Sequence, residues 1–525
     1  MRRRDLLTTA GIALAAPRLV RAESTRRLTF VPSGAGLVPL DTTWSGARVT
    51  RIHAAMVFDT LYGMDETLTL HPQMVEGHAI DQDGTVWTLR LRPGLTFHDG
   101  TPVLARDAEA SIRRFCARDD LGQALMAATD ELSAVDDRTL RFRLARPFPH
   151  LPAALAGSAF KLPVIMPERL ASIDPSRPVT EMVGSGPYRF LAAEFNAGER
   201  SAYERFARYV PRAGEPVRYT SGGKVANFDR IEWRTMPDIG MAAAALSRGE
   251  VDWIDSVPND LIPQFTRGGN VTVEVTEPTG SIPFLGFNCR YPPFDNATVR
   301  RLLLGAIDQA QIMQAIAGND PTSWRDRIGL FGPGSRLAND AGIERLTGPR
   351  NYDSVRRELL TSGYDGRPIV LLSITAPYFR EAADVAADQL RKAGLKLDVQ
   401  VMDFPTSLRR RESTEPPEKG GWNVVVSLTD GLFIDNPATN VLFRGDPRAG
   451  LSSLPVSSRL EGLRAAWLRT GEPAAQKQLA RDMQSQLWED VPYIPLGSWV
   501  RSTAHRRDIV DLPWGYAAFY GVRRV

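Results

Sequence analysis

Cysteine is nearly absent: Cys116 and Cys289 are the only two among 525 residues, so a disulfide framework is excluded. Cys116 closes a helical pattern and Cys289 lies in an apolar, strand-like run, which suits two separate buried thiols better than a bridge. Histidine is scarce too. His53, His71, His78, His98, His150 and His505 are scattered without the i, i+4 spacing that sets two metal ligands on one helix face. His98-Asp99 imitates a base and its orienting carboxylate, but Gly100 follows, and in such a turn Asp99 has a backbone role. No G-x-S-x-G occurs: in the nearest stretch, Val183-Gly184-Ser185-Gly186-Pro187, proline stands where a nucleophile elbow must run on into a helix. H-E-x-x-H and C-x-x-C are missing. So is a phosphate loop, since Arg218 holds the position of the glycine that should precede Gly223-Lys224. Gly34-Ala35-Gly36 lacks the third glycine of a dinucleotide loop. Aspartates are plentiful, yet no pair is fixed by spacing as an acid-base couple. These gaps argue against an enzyme, a resident metal or a cofactor.

What is present is globular. Hydrophobic residues make up 43% and charged residues 24% of the chain. Its length exceeds the roughly 250 to 300 residues at which a single core stops growing, so two or more domains are expected. The formal net charge of +3 is concentrated at the start, in Arg2, Arg3, Arg4, Arg18 and Arg21, offset only by Asp5. Without residues 1–22 the chain carries 59 basic and 60 acidic side chains. Such a near-neutral body gives no electrostatic reason to expect nucleic acid. Those first residues run from arginines through the small, apolar stretch Thr8 to Pro17 into Val20-Arg21-Ala22, the order of an export signal. Arg3-Arg4-Asp5-Leu6-Leu7 resembles a twin-arginine signal. The apolar stretch is far short of the roughly 20 residues that span a bilayer, so cleavage near Ala22 and a periplasmic location are expected. No cysteine directly follows that point, which disfavours a lipid anchor.

The remaining pattern alternates helices and strands. Leu28 to Val31 reads as a strand, followed by the loop Pro32-Ser33-Gly34-Ala35-Gly36 and a helix from Val49 to Leu61. Thr85 to Arg92 alternates apolar and polar residues, and Pro93-Gly94 suggests a hairpin returning through Leu95-Thr96-Phe97. A helix at 105–116 and a strand at Thr139 to Leu144 come next. Gly184-Ser185-Gly186-Pro187 marks a crossing into another sheet. Residues 228–235, 239–248 and 251–254 form a β-α-β unit, the signature of a mainly parallel sheet. A buried strand at Phe284 to Cys289 precedes one long helix, Asn296 to Ile316. Helix and strand patterns then alternate through Tyr352–Thr361, Ile369–Thr375, Tyr378–Ala393, Lys396–Met402 and Trp422–Leu428, and helices at 461–467 and 474–488 close the second α/β lobe.

Several of these stretches also resemble a known family. Trp87-Thr88-Leu89-Arg90-Leu91-Arg92-Pro93-Gly94-Leu95-Thr96-Phe97-His98-Asp99-Gly100-Thr101-Pro102 is similar to the signature of extracellular solute-binding proteins of the peptide and nickel class, the receptors of ABC importers. Further pieces match in order: Gly184 to Phe190, Ala245 to Asp252, Phe287 to Asp295 with Val299-Arg300-Arg301, and Val491 to Leu496. The resemblance implies an α/β, two-lobed, periplasmic-binding-protein-like (Venus-flytrap) fold with a subdomain inserted in the first lobe. Its expected limits are 23–61 with 183–280 and 498–525 for lobe I, 62–182 for the insert and 281–497 for lobe II. Such a receptor closes on a ligand held between its lobes. The implied partners are a small-molecule or peptide ligand, an inner-membrane permease and its ATPase subunits; a monomer is expected.

In peptide binders of this class an aspartate shortly after a tryptophan in the second lobe holds the peptide amine. Here Trp422 leads through a longer spacing to Thr429-Asp430-Gly431, and the usual proline-aspartate is missing. Asp430 is the candidate for holding a cation, with a solvated turn before Gly431 as the competing reading. Dipeptide receptors place an arginine just before a proline-tyrosine pair; here Ala376 precedes Pro377-Tyr378, which puts a free dipeptide in doubt. Tyr378, Trp44 and Trp422 are candidate cleft walls, core packing being the alternative, and Ser33 with Gly34 lie where a first-lobe loop could approach ligand. The expected function is capture of an oligopeptide or peptide-like solute. A receptor for an opine, oligosaccharide or nickel chelate is the alternative, and a secreted hydrolase lies further off.

Overall fold

The computed structural model describes residues 26–34, 36–37, 40–157 and 161–525; the expected export signal lies outside them, as does Ala35 of the glycine loop. Two seven-stranded sheets organise the chain. In the first, the order is Val271–Glu274, Ser502–Arg506, Trp253–Val257, Arg27–Val31, Arg230–Arg234, Arg200–Arg205 and Tyr188–Phe190. Arg27–Val31 pairs in parallel with Arg230–Arg234 on one side and Trp253–Val257 on the other. It is central because of its side chains: Phe30 is fully buried, with ring centroids 5.6 Å from Trp233, 5.3 Å from Trp253 and 5.0 Å from Phe519. Parallel pairing stops there. The other four strands run antiparallel, so the mainly parallel sheet inferred from the β-α-β pattern holds only for its centre. Between Arg230–Arg234 and Trp253–Val257 runs the helix Ile239–Arg248, started by Asp238, whose carboxylate accepts from the Met241 N–H, and stopped by Gly249 at φ +75°.

The second sheet orders Trp324–Arg325, Ser498–Trp499, Ser281–Phe287, Val424–Asp430, Pro368–Ile374 and Lys396–Met402, with Tyr493–Pro495 also paired to Ser281–Phe287. Ser498–Trp499, which the sequence reading assigns to the first lobe, bond Trp324–Arg325 and Ser281 and thus belong to the second sheet. A separate four-stranded sheet (Val75–Asp81, Val86–Leu91, Thr139–Leu144, Thr129–Ala134) lies within 62–182, the stretch expected as the insert. Cys116 and Cys289 are both free thiols. Among the described residues no helix is long and apolar enough to cross a membrane.

Three local expectations differ from the structure. Val86–Leu91 finds its partners in Val75–Asp81 and Thr139–Leu144, not across Pro93-Gly94. Residues 95–103 instead close a small loop on themselves around Asp99-Gly100, held by Phe97 N–H to Thr101 O and Val103 N–H to Leu95 O. The long helix at 296–316 is two helices, Ala297–Leu304 and Gln309–Ala317. Asp308 caps the second one, accepting from the Gln311 N–H, so the chain restarts rather than continues. The first helix ends at Val57, four residues short of Leu61. There the chain meets Gly184 and Gly186, which pack so closely that a Cβ at Gly184 would lie 2.0 Å from Val57 O, and one at Gly186 2.5 Å from Met56 O. His98 secures the same corner. Its Nε2 is 3.0 Å from Gly186 O, and burial pushes its pKa down to about 4, so it is neutral at pH 7.

Candidate functional site

Two segments pass from one sheet to the other. Residues 275–280 link Val271–Glu274 to Ser281–Phe287, and residues 500–501 link Ser498–Trp499 to Ser502–Arg506. They lie side by side: Gly280, at φ +77°, leaves so little room that a Cβ there would be 2.7 Å from Ser498 Oγ and 2.9 Å from Trp499 O. Against these crossings sits a small cavity, with free room for little more than one water molecule, lined by Arg48, Asp255, Ser256, Thr276, Glu277, Gly280, Ser281 and Arg501. Its walls come from five places: a helix start, one strand of each sheet and both crossings. A ligand there would touch both segments that join the two sheets.

Charge dominates the cavity. Arg48 and Arg51 lie one turn apart on the helix Arg48–Val57 and so share a face. Arg48 Nε donates to both oxygens of Asp255 at 3.0 and 3.1 Å, and Ser33 Oγ donates to the same carboxylate at 2.5 Å. Arg51 Nη2 reaches Asp430 Oδ2 at 2.9 Å, while Arg501 Nη2 reaches Asp430 Oδ1 at 2.7 Å. Asp430 ends the strand Val424–Asp430 of the second sheet, so the Arg51 contact is an ion pair between lobes. Glu277, on the first crossing, has Arg48 at 3.8 Å and accepts from Thr279 Oγ1.

These neighbours set the protonation of each acid. Burial alone would push the Asp430 carboxyl up, but Arg501, Arg51 and Arg48 outweigh it and hold the pKa down to about 2. Asp255 is likewise held below its ordinary range, its burial being overcome by Arg48 and the Ser33 hydroxyl. Glu277 goes the other way: burial and the adjacent Asp430 charge raise it against the pull of Arg48.

Of the residues singled out by sequence, Asp430 and Ser33 join this network, and Gly431 and Thr429 flank it. The Gly431 N–H donates to Gly280 O at 2.8 Å, and a Cβ at Gly431 would lie 2.3 Å from Thr279 O. Thr429 is buried in the strand opposite Ile282. Gly34, at φ +87°, stands exposed beside Ser33. The aromatic candidates do not line the cavity. Trp422 is buried with Val370, Leu372 and Val425, its Nε1 donating to Arg411 O at 3.3 Å. Tyr378 is half-buried, packed beside Phe379 and Trp499. Trp44 lies under the Arg118 guanidinium, 4.0 Å from its ring centroid. Arg48, Arg51, Asp255, Glu277 and Arg501 escaped the sequence reading, although an i, i+3 pair of arginines opening the first helix was there to see. Among the described residues, no group of three or more His, Cys, Asp or Glu side chains is placed to hold a metal ion.

Comparison with known proteins places this geometry. Residues 69–450 match the family model of bacterial extracellular solute-binding proteins, family 5. A "Probable peptide ABC transporter periplasmic-binding protein" of Sinorhizobium fredii is 32% identical over 522 residues, covering 97% of each chain. Among solved structures, AgaA of A. tumefaciens R10 in complex with agropinic acid superposes with a TM-score of 0.78 at 20% identity, covering 95% of this chain and 99% of its own. The periplasmic binding protein DppA of Helicobacter pylori, in complex with the peptide STSA, gives 0.77 at 19% identity over 95% and 99%. At such identities the two structures speak for the fold alone, which is the two-lobed fold described above. The family match over most of the chain and a relative similar from end to end lead to one assignment: this protein belongs to the bacterial extracellular solute-binding proteins of family 5.

Proposed function

We propose that this chain captures a peptide-like solute outside the cytoplasm and hands it, closed, to an ABC permease with its ATPase subunits, without altering it chemically. The observation that carries the reading is the cavity on the two crossings, with an ion pair, Arg51 to Asp430, joining the lobes beside it. A solute that contacts both lobes only when they meet shifts the hinge equilibrium toward closure. Micromolar affinity corresponds to about 8 kcal/mol, enough to offset a closure cost of a few kcal/mol. The family is one of receptors rather than catalysts, and the peptide-transport relative supports the solute class. Lobe I comprises 23–61, 183–280 and the C-terminal stretch; the insert 62–182; lobe II 281–497, extended by Ser498–Trp499. That division is supported by the separate sheets. Residues 1–22 direct export and are removed near Ala22.

A second reading is an opine. Among the described residues the cavity lining has no aromatic side chain, which suits a compact polar solute better than an oligosaccharide stacked on flat rings. Thermal-shift measurements on the chain from Glu23 onward decide between them, since a cleft ligand raises stability by mass action. A peptide pool raises Tm if the first reading holds. A shift with opines and none with peptides moves the assignment to the second, and turnover of any bound compound ends both.

A further inference from the structure

The six charged groups around the cavity are unevenly matched. Asp430 accepts from two guanidinium groups, Arg51 at 2.9 Å and Arg501 at 2.7 Å, one on each oxygen. Asp255 is bound by Arg48 through both oxygens and by Ser33. Glu277 shares that same Arg48, at 3.8 Å, beyond hydrogen-bond range, and the charge of Arg501 across the cavity reaches it without an ion pair. It is buried, its side chain 9% exposed, and it lines the cavity, as Asp430 does not. A buried carboxylate with so distant a partner is costly unless a further cation comes to it. Asp430 has no such need. Its two arginines come from the first lobe and from the second crossing, so it ties the lobes together.

We propose that Glu277, on the first crossing segment, receives the positively charged nitrogen of the solute, while Asp430 acts as an interlobe clamp and touches no ligand charge. This rests on the reading of the protein as a receptor for a peptide-like solute and names the group that selects it. The hydrogen bond from Thr279 Oγ1 to one Glu277 oxygen leaves the other oxygen, the one nearer Arg48, for an ammonium group entering the cavity. Because Glu277 sits on a segment that links the sheets, filling it acts directly on the hinge.

The test uses a tripeptide pool lacking Lys, Arg and His, and the same pool after N-acetylation, with retention by the exported form of the chain measured by equilibrium dialysis and mass spectrometry. The wild type should retain free-amine members at least tenfold better than acetylated ones. Glu277→Gln, nearly isosteric, should abolish that preference. Glu277→Asp, which keeps the charge, should restore part of it. Asp430→Asn should bind more weakly yet keep the preference. An unchanged preference in Glu277→Gln, or its loss in Asp430→Asn, overturns the assignment to Glu277 while the receptor reading stands. Equal retention of both pools by the wild type also overturns it. Retention of neither pool overturns the peptide reading, and this assignment with it.

Discussion

Arg51 and Asp430 meet where neither can be lost cheaply. The Arg51 side chain is 5% exposed and also lies over the Tyr516 ring, 5.9 Å from its centroid. Removing one partner of such a pair leaves charge behind in a poorly solvated place. Because Arg501 still holds Asp430, Arg51→Ala should lose about 1–3 kcal/mol in urea denaturation rather than the full cost of an abandoned charge. The acid side of the stability curve tests the same carboxylate. Asp430 has its folded pKa depressed from 3.8 to about 2, so the unfolded chain binds its proton first as pH falls. Its contribution is therefore complete above about pH 4 and disappears as pH falls toward 2. Asp255, shifted in the same direction, adds to that slope. Asp430→Asn should thus be less stable than wild type at pH 5, and the gap should narrow by pH 2.5; a constant gap would remove Asp430 from the acid response.

At the level of elements, Gly280 decides how closely the two crossings run. With φ +77° and Ser498 Oγ and Trp499 O inside the reach of any Cβ, Gly280→Ala strains the backbone and pushes the crossings apart. A stability loss of about 1–3 kcal/mol is expected, with weaker ligand affinity from the displaced Glu277 and Arg501; full wild-type stability would mean that the crossings tolerate separation. Elements were legible where their signal is local. Thr139–Leu144 and Arg230–Arg234 alternate residue by residue, and Ile239–Arg248 carries its own cap and stop. The misread elements depend on distant partners. Val86–Leu91 pairs with a strand some fifty residues on, and Asp308 ends the long helical pattern with help from Gln389, whose Oε1 accepts from the Asp308 N–H at 3.0 Å. The same reason hides most of the site. Ser33 and Asp430 stand out as a loop after a first strand and a carboxylate after a tryptophan. Arg48, Asp255, Glu277 and Arg501 come from four segments that only the folded topology brings around one cavity.

Across the whole molecule, the lobes meet at a second place far along the chain from the crossings. His150 of the insert stacks on Trp467 of the second lobe, ring centroids 4.1 Å apart, and its Nε2 lies 3.0 Å from Trp467 O. Nearby, Arg444 Nη1 reaches Asp120 of the insert at 3.1 Å while its Nε is held by Glu461 at 3.1 Å. Gly471 fits against Pro149, where a Cβ would come within 2.9 Å of the proline ring. Burial keeps His150 below its ordinary pKa, so the stack stays neutral and insensitive to pH near 7. The crossings join the lobes at one place and this contact joins them at another, so parting the lobes about the crossings is expected to break it. Weakening it should therefore act on the closed population rather than on either lobe. For His150→Ala combined with Arg444→Ala, losing about 1.4 kcal/mol of closed-state stabilisation would lower apparent ligand affinity about tenfold where the closed form is the minority state. Where the closed form instead predominates without ligand, small-angle scattering should report a larger radius of gyration for the unliganded variant and recovery of the compact profile at saturation. Unchanged affinity together with an unchanged profile would mean that the insert rides passively on the first lobe, and that the crossing segments alone set the closing equilibrium.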